Sequence, residues 1–95
     1  MDAKEILGLY ATGQRNFRLK DLKNLVLSHA TLNGADFTGA NLSGCDLSYS
    51  DLTNANLNWT NLKGSNLTGA HMRGAKMPDG RIHNDRMESA NYLGT

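Results

Sequence analysis

An apolar residue returns at every fifth position from Leu22 to Met77: Leu22, Leu27, Leu32, Phe37, Leu42, Leu47, Leu52, Leu57, Leu62, Leu67, Met72 and Met77. With 39% of the chain hydrophobic, twelve such residues in one register would arise by chance on the order of 10⁻⁵ of the time. The neighbours share the period. Two places before the centres stand Ala30, Ala35, Ala40, Cys45, Ser50, Ala55, Thr60, Ser65, Ala70 and Ala75, all small. One place before them, Asp36, Asn41, Asp46, Asp51, Asn56, Asn61 and Asn66 are Asp or Asn, and Gly34, Gly39, Gly44, Gly64, Gly69 and Gly74 lie two places after.

A period of five excludes both regular secondary structures as the carrier. On an α-helix five residues advance about 500°, so successive centres would spiral around the rod. On a flat strand an odd period sends alternate centres to opposite faces. A chain that turns a corner after every five residues can point every centre inward. Glycine at the corner permits positive φ, and small residues fit where the corner narrows. The expected product is a coil with short sides, stacked so that each backbone pairs with the coils above and below at about 4.8 Å.

The consensus A(D/N)LxG, seen in ADFTG (35–39), ANLSG (40–44) and CDLSY (45–49), resembles the pentapeptide-repeat proteins, and the MPDGRIH stretch (77–83) is similar to cyanobacterial members of that family. The resemblance implies an all-β solenoid: a right-handed quadrilateral β-helix of about four coils, four pentapeptides to each. Residues twenty apart would then lie above one another. The columns of centres become Phe17, Phe37, Leu57, Met77; Leu22, Leu42, Leu62, Ile82; Leu27, Leu47, Leu67, Met87; and Leu32, Leu52, Met72, Tyr92.

The N-terminus departs from the repeat. Asp2 stands three residues before Glu5 as in a capping box, and Gly13 can end the helix that follows. Ile6, Leu7 and Tyr10 would share one face, so residues 1–13 are expected to form a short capping α-helix over the first coil. The β-helix occupies 14–95, with a regular core over 30–77 and a less regular C-terminal coil over 78–95, where Asp85 takes a small inward position. ANYLG (90–94) then restarts the repeat.

Composition narrows the function classes. Ninety-five residues make one domain. A formal net charge of +1 favours neither a general nucleic-acid binder nor a strongly acidic mimic of one. Residues 28–70 hold Asp36, Asp46 and Asp51 against Lys63, and both flanks are net positive. The lone cysteine, Cys45, allows no intrachain disulfide and, at a small inward position, is expected to be a buried structural thiol. No signal-peptide pattern and no apolar run of about 18 residues is present, so the expected setting is the cytoplasm with no membrane partner.

Candidate chemistry is sparse. His71 would stack on Asp51 one coil away, a base beside a carboxylate with no nucleophile implied. His29, His71 and His83 fall in different columns or coils, which gives no metal site. No catalytic residue, metal or cofactor is expected. Two aromatics replace corner glycines: Tyr49, in the column of His29, and Trp59, placed one coil above Gly39 with room for its indole to fold down. Half a coil apart, they lie on opposite corners.

The expected function is therefore that of a non-catalytic structural or interaction protein. It presents a rigid surface to another protein, or stacks end-to-end on a second pentapeptide-repeat chain or on itself. Trp59 and Tyr49 are the candidate contacts on the sides. Ile82, Met87 and Tyr92 are the apolar centres expected at the C-terminal end, with Arg81 and Arg86 projecting on its rim. The alternative implied by the resemblance is a DNA-mimicking protein that binds gyrase, which this charge distribution suits poorly.

Overall fold

The computed structural model describes residues 1–82. From Asn16 onward the chain pairs with itself twenty residues later: Asn16 with Asp36, Asp21 with Asn41, Val26 with Asp46, Thr31 with Asp51, and so on to Asn56 with Lys76, all parallel. Twenty residues thus complete one coil, and the described residues hold three coils and the start of a fourth.

Two hydrogen-bond systems build each coil. The ladder between coils uses the N–H of each centre and of the corner residue two places later, as in Leu22 N–H to the Asn41 carbonyl (2.8 Å) and Asn24 N–H to the Ser43 carbonyl (2.9 Å). Within a coil, each centre's carbonyl from Leu27 to Met77 accepts from the N–H three residues on, as in Ala40 to Phe37 at 2.9 Å and Ala55 to Leu52 at 2.9 Å. That bond, with positive φ at the third turn residue, is what a type II turn requires. Glycine supplies this φ at Gly39 (71°) and Gly69 (69°), yet Leu19, Asn24, His29, Tyr49, Asn54 and Trp59 adopt it too, at 57° to 62°. Asparagine tolerates the left-handed region, while a leucine or an aromatic there carries about 1–2 kcal/mol of strain.

The recurrent Asp or Asn has a local task. Asn16, Asp21, Asp36, Asn41, Asp46, Asp51, Asn56, Asn61 and Asn66 each turn a side-chain oxygen onto the N–H two residues later. The ladder leaves that donor unused, and the resulting Asx turn satisfies it.

All twelve centres are buried, as is Phe17, whose ring stacks on Phe37 with centroids 5.6 Å apart. The small inward positions are buried as well, and their polar members find carbonyls: Thr60 donates to Phe37 (2.8 Å), Ser65 to Leu42 (2.5 Å), Ser50 to Leu47 (2.7 Å) and the Cys45 thiol to Leu22 (2.9 Å). Helix α1 (Ala3–Ala11) closes the first coil. Asp2 accepts from Glu5 N–H at 2.8 Å. At the other end Gln14 N–H reaches the Leu9 carbonyl and Gly13 N–H the Tyr10 carbonyl, both at 3.0 Å, the paired bonds of a Schellman motif with Gly13 at φ 103°. Ile6 is buried in the core, and the Tyr10 hydroxyl donates to the Asn33 carbonyl at 2.6 Å, while the Arg15 guanidinium lies 3.6 Å over the Tyr10 ring.

The repeat register stops after Met77, which corrects the placement of Ile82. Ile82 does not stack inward over Leu62; it is 57% exposed and pairs antiparallel with Lys76. Neither half of the Asx turn exists at this point. Lys76 stands where an Asx acceptor would be, and Pro78 has no N–H to give. Gly80 N–H still makes the usual corner bond to the Met77 carbonyl (2.8 Å), but Met77 N–H bonds the Arg81 carbonyl (2.7 Å), and Asp79 accepts from Arg81 N–H (3.0 Å). Past this corner the chain folds back beside Met77 in place of starting the next side. Arg86, Met87 and Tyr92, with Asp85 and residues 90–94, lie outside the described residues.

Candidate interaction surface

The twenty-residue coil sorts the surface into four sides. Side one carries the centres Phe17, Phe37, Leu57 and Met77; side two Leu22, Leu42 and Leu62; side three Leu27, Leu47 and Leu67; and side four Leu32, Leu52 and Met72. Each side ends in a corner column of residues with positive φ.

Corner side chains lean toward the following coil, and this decides what each exposes. A Cβ built on Gly39 would lie 2.6 Å from Cδ2 of Leu19, so Leu19 covers Gly39 from the coil before. Asn24 covers Gly44, Tyr49 covers Gly69 and Asn54 covers Gly74 in the same way. The expected packing of Trp59 is corrected accordingly. Its indole does not fold onto Gly39, because Leu19 already fills that space; Trp59 stands 77% exposed, and Leu19 in the same column is 75% exposed. The opposite corner differs. Tyr49 stacks on His29, centroids 5.3 Å apart and planes 14° from parallel, and is 53% exposed.

Among the described residues the polar candidates serve the turns. Asp51 and His71 are bridge partners, but the Asp51 carboxylate accepts from Thr53 N–H at 3.0 Å. Asp46 accepts from the Ser48 hydroxyl (2.6 Å) and N–H (3.1 Å). These bonds hold its carboxyl below the ordinary carboxylate range, with the charge of His29 adding a smaller effect. Cys45 is buried, and desolvation pushes its thiol up. Among the described residues no three His, Cys, Asp or Glu side chains group as metal ligands, and no helix is long and apolar enough to cross a membrane.

What sequence reasoning missed is the alignment of Leu19 with Trp59. Both occupy a corner position, forty residues apart, so the spacing was available once the coil length was known. Ile82 sits beside Lys76 on side one, which brings a third exposed apolar side chain to the same flank. Arg81 projects there, paired with Asp79 at 3.4 Å.

The family model of pentapeptide repeats matches the chain in eight copies, over residues 21–58 and 40–77. Among solved structures the chain is similar to Rfr23, a pentapeptide repeat protein from the cyanobacterium Cyanothece 51142, at 38% identity and a TM-score of 0.53, over 56% of this chain and 37% of that one. It is also similar to HetL, a pentapeptide repeat protein involved in heterocyst differentiation regulation from Nostoc sp. strain PCC 7120, at 32% identity over 76% of this chain and 45% of that one, TM-score 0.34. A further pentapeptide repeat protein from Nostoc PCC 7120 is 26% identical over 99% of this chain and 94% of that one, TM-score 0.34. The chain spans less than half the length of the first two. No curated protein matches it. The repeat that sets the coil, the corner and the core is the one the family model describes, and the chain belongs to the pentapeptide-repeat family.

Proposed function

We propose that this chain is a non-catalytic interaction protein: a right-handed quadrilateral β-helix that presents a rigid side surface to another protein in the cytoplasm, a second repeat chain being one form of that partner. The observation that supports this reading is Trp59, an indole 77% exposed on a backbone at φ 62°. Neither burial nor conformational ease accounts for a tryptophan there, whereas an exposed aromatic on a rigid frame suits a binding anchor. The described Asp and Asn side chains nearby are engaged in the turns, which supports a binding role over a catalytic one. A DNA-mimic role draws no support from the charges: Arg18, Lys20, Lys23 and Lys63 flank the same corner.

The test is site-specific photo-crosslinking in extract of the native organism, with a benzophenone side chain placed at residue 59 or, as control, at residue 54. A discrete protein adduct from position 59 alone is expected. Equal capture from both positions, or none from either, would refute the reading.

A further inference from the structure

The interaction surface has a charge as well as an anchor, and together they specify a partner. Sides one and two, with the fold-back, cover residues 16–24, 35–44, 55–64 and 75–82. They carry Arg18, Lys20, Lys23, Lys63, Lys76 and Arg81 against three carboxylates, Asp21, Asp36 and Asp79. Sides three and four cover 25–34, 45–54 and 65–74 and carry Arg73 against Asp46 and Asp51. The balance is +3 on one half and −1 on the other, a segregation that the overall charge of +1 conceals.

Of the three most exposed large apolar side chains among the described residues, Trp59 and Leu19 lie on the basic half, while Val26, 66% exposed, lies on side three. Leu19 and Trp59 stand two coils apart on the corner between sides one and two, about 10 Å at the strand spacing, and Ile82 lies beyond Lys76 on side one. Two of the three carboxylates are engaged, Asp21 with Lys23 at 4.0 Å and Asp79 with Arg81 at 3.4 Å. Both pairs are open to water and hold their cations weakly, so an acidic partner can displace them.

We propose that this corner docks an acidic protein surface with an apolar hollow, in which Trp59 and Leu19 seat while the surrounding Lys and Arg meet Asp and Glu on the rim. Charge complementarity steers encounter and the buried aromatic holds the complex. A second copy of the chain is the wrong occupant, since its other half offers two carboxylates against six cations, and Asp46 already accepts from Ser48. A phosphate backbone would satisfy the cations, but successive bases stack on successive aromatics, and Trp59 is flanked by the aliphatic Leu19 and Ile82. This inference rests on the interaction role above and adds the partner's chemistry.

The experiment uses the full chain and a random copolymer of glutamate and tyrosine as probe, with polyglutamate, polylysine and phosphatidylglycerol vesicles beside it. Trp59 is the only tryptophan, so selective indole excitation reports this corner alone. The copolymer is expected to bind with a blue shift of the indole emission, more tightly than polyglutamate, and to weaken as salt rises. Polylysine should not bind. Trp59→Ala, followed by titration calorimetry beside the wild type because it carries no indole, should weaken the copolymer roughly tenfold, the usual loss on truncating an anchor, at an unchanged unfolding midpoint. Lys23→Glu with Lys63→Glu should flatten the salt dependence. Equal binding of wild type and Trp59→Ala, binding of polylysine, or binding of the vesicles without the copolymer would overturn the proposal. A basic protein cross-linked through residue 59 would overturn the acidic partner while the interaction role stands; with neither adduct nor copolymer binding, both fall.

Discussion

The ring of Tyr49 occupies the space that a side chain at residue 69 would need: a Cβ built on Gly69 collides with Cδ1 and Cε1 of Tyr49. The same ring stacks on His29, so three successive coils meet in one column at this corner. Gly69→Ala therefore combines a strained φ of 69° with displacement of Tyr49, and should cost about 2–3 kcal/mol. Gly64, whose Cβ would approach nothing closer than Gly44 backbone at 3.9 Å, shares the strain alone, and Gly64→Ala should cost about 1–2 kcal/mol. Chemical denaturation of the two variants separates the terms; equal losses would show that Tyr49 moves aside freely.

Trp59→Gly should raise stability. The substitution relieves a left-handed conformation worth about 1–2 kcal/mol and surrenders about 0.5–1 kcal/mol to the freer unfolded chain. An indole 77% exposed contributes little packing to lose. A net gain of about 0.5–1 kcal/mol, read as a higher denaturant midpoint, is expected alongside loss of copolymer binding. A lower midpoint would mean that Trp59 supports the fold.

Leu52 lies in a column between Leu32 and Met72 and is fully buried. Coils pinned by ladder bonds on both sides, Leu32 N–H to Asp51 and Leu52 N–H to His71 at 2.9 and 2.8 Å, cannot close on a cavity. Leu52→Ala should cost about 2–5 kcal/mol. Asn54→Ala two residues away, at the corner, should cost far less, in the range of about 1 kcal/mol for a left-handed non-glycine residue. Similar midpoints for the two would contradict the division into inward and outward positions.

Stability should fall at both extremes of pH for separate reasons. Asp46 is held below its ordinary range by Ser48, so its contribution is present above the unfolded carboxyl pKa and lost as pH drops through the lower folded value. Ser48→Ala should move the acid-unfolding midpoint to higher pH. Cys45 is pushed up by burial, so its contribution is full below the unfolded thiol pKa and lost as pH rises through the folded value. A thiol reagent should modify Cys45 only as fast as the chain unfolds. Cys45→Ser should fold, because Ser65 at the equivalent position donates to Leu42 as Cys45 does to Leu22, and it should resist alkaline unfolding better than wild type. Rapid labelling of the native protein would show the thiol to be open to solvent.

The period of five determined the inward set, the small residues beside it and the need for a corner, because no other backbone keeps twelve centres on one side. Asp2, Glu5 and Gly13 likewise marked the helix ends through bonds made within a few residues. Tertiary structure decided what depends on neighbours twenty residues away. Leu19 fills the hollow over Gly39 because corner side chains lean toward the following coil, and this leaves Trp59 exposed; no local pattern encodes that lean. Pro78 is the local mark of the end of the register at Met77, since Val26, Thr31 and His71 also lack the Asx acceptor that Lys76 replaces and their sides turn normally, but that the chain folds back there shows only in the bond from Met77 N–H to the Arg81 carbonyl. The basic half exists only once the coil brings Lys63, Lys76 and Arg81 onto the sides that carry Arg18, Lys20 and Lys23, since along the chain the two groups are separated by Asp36, Asp46 and Asp51.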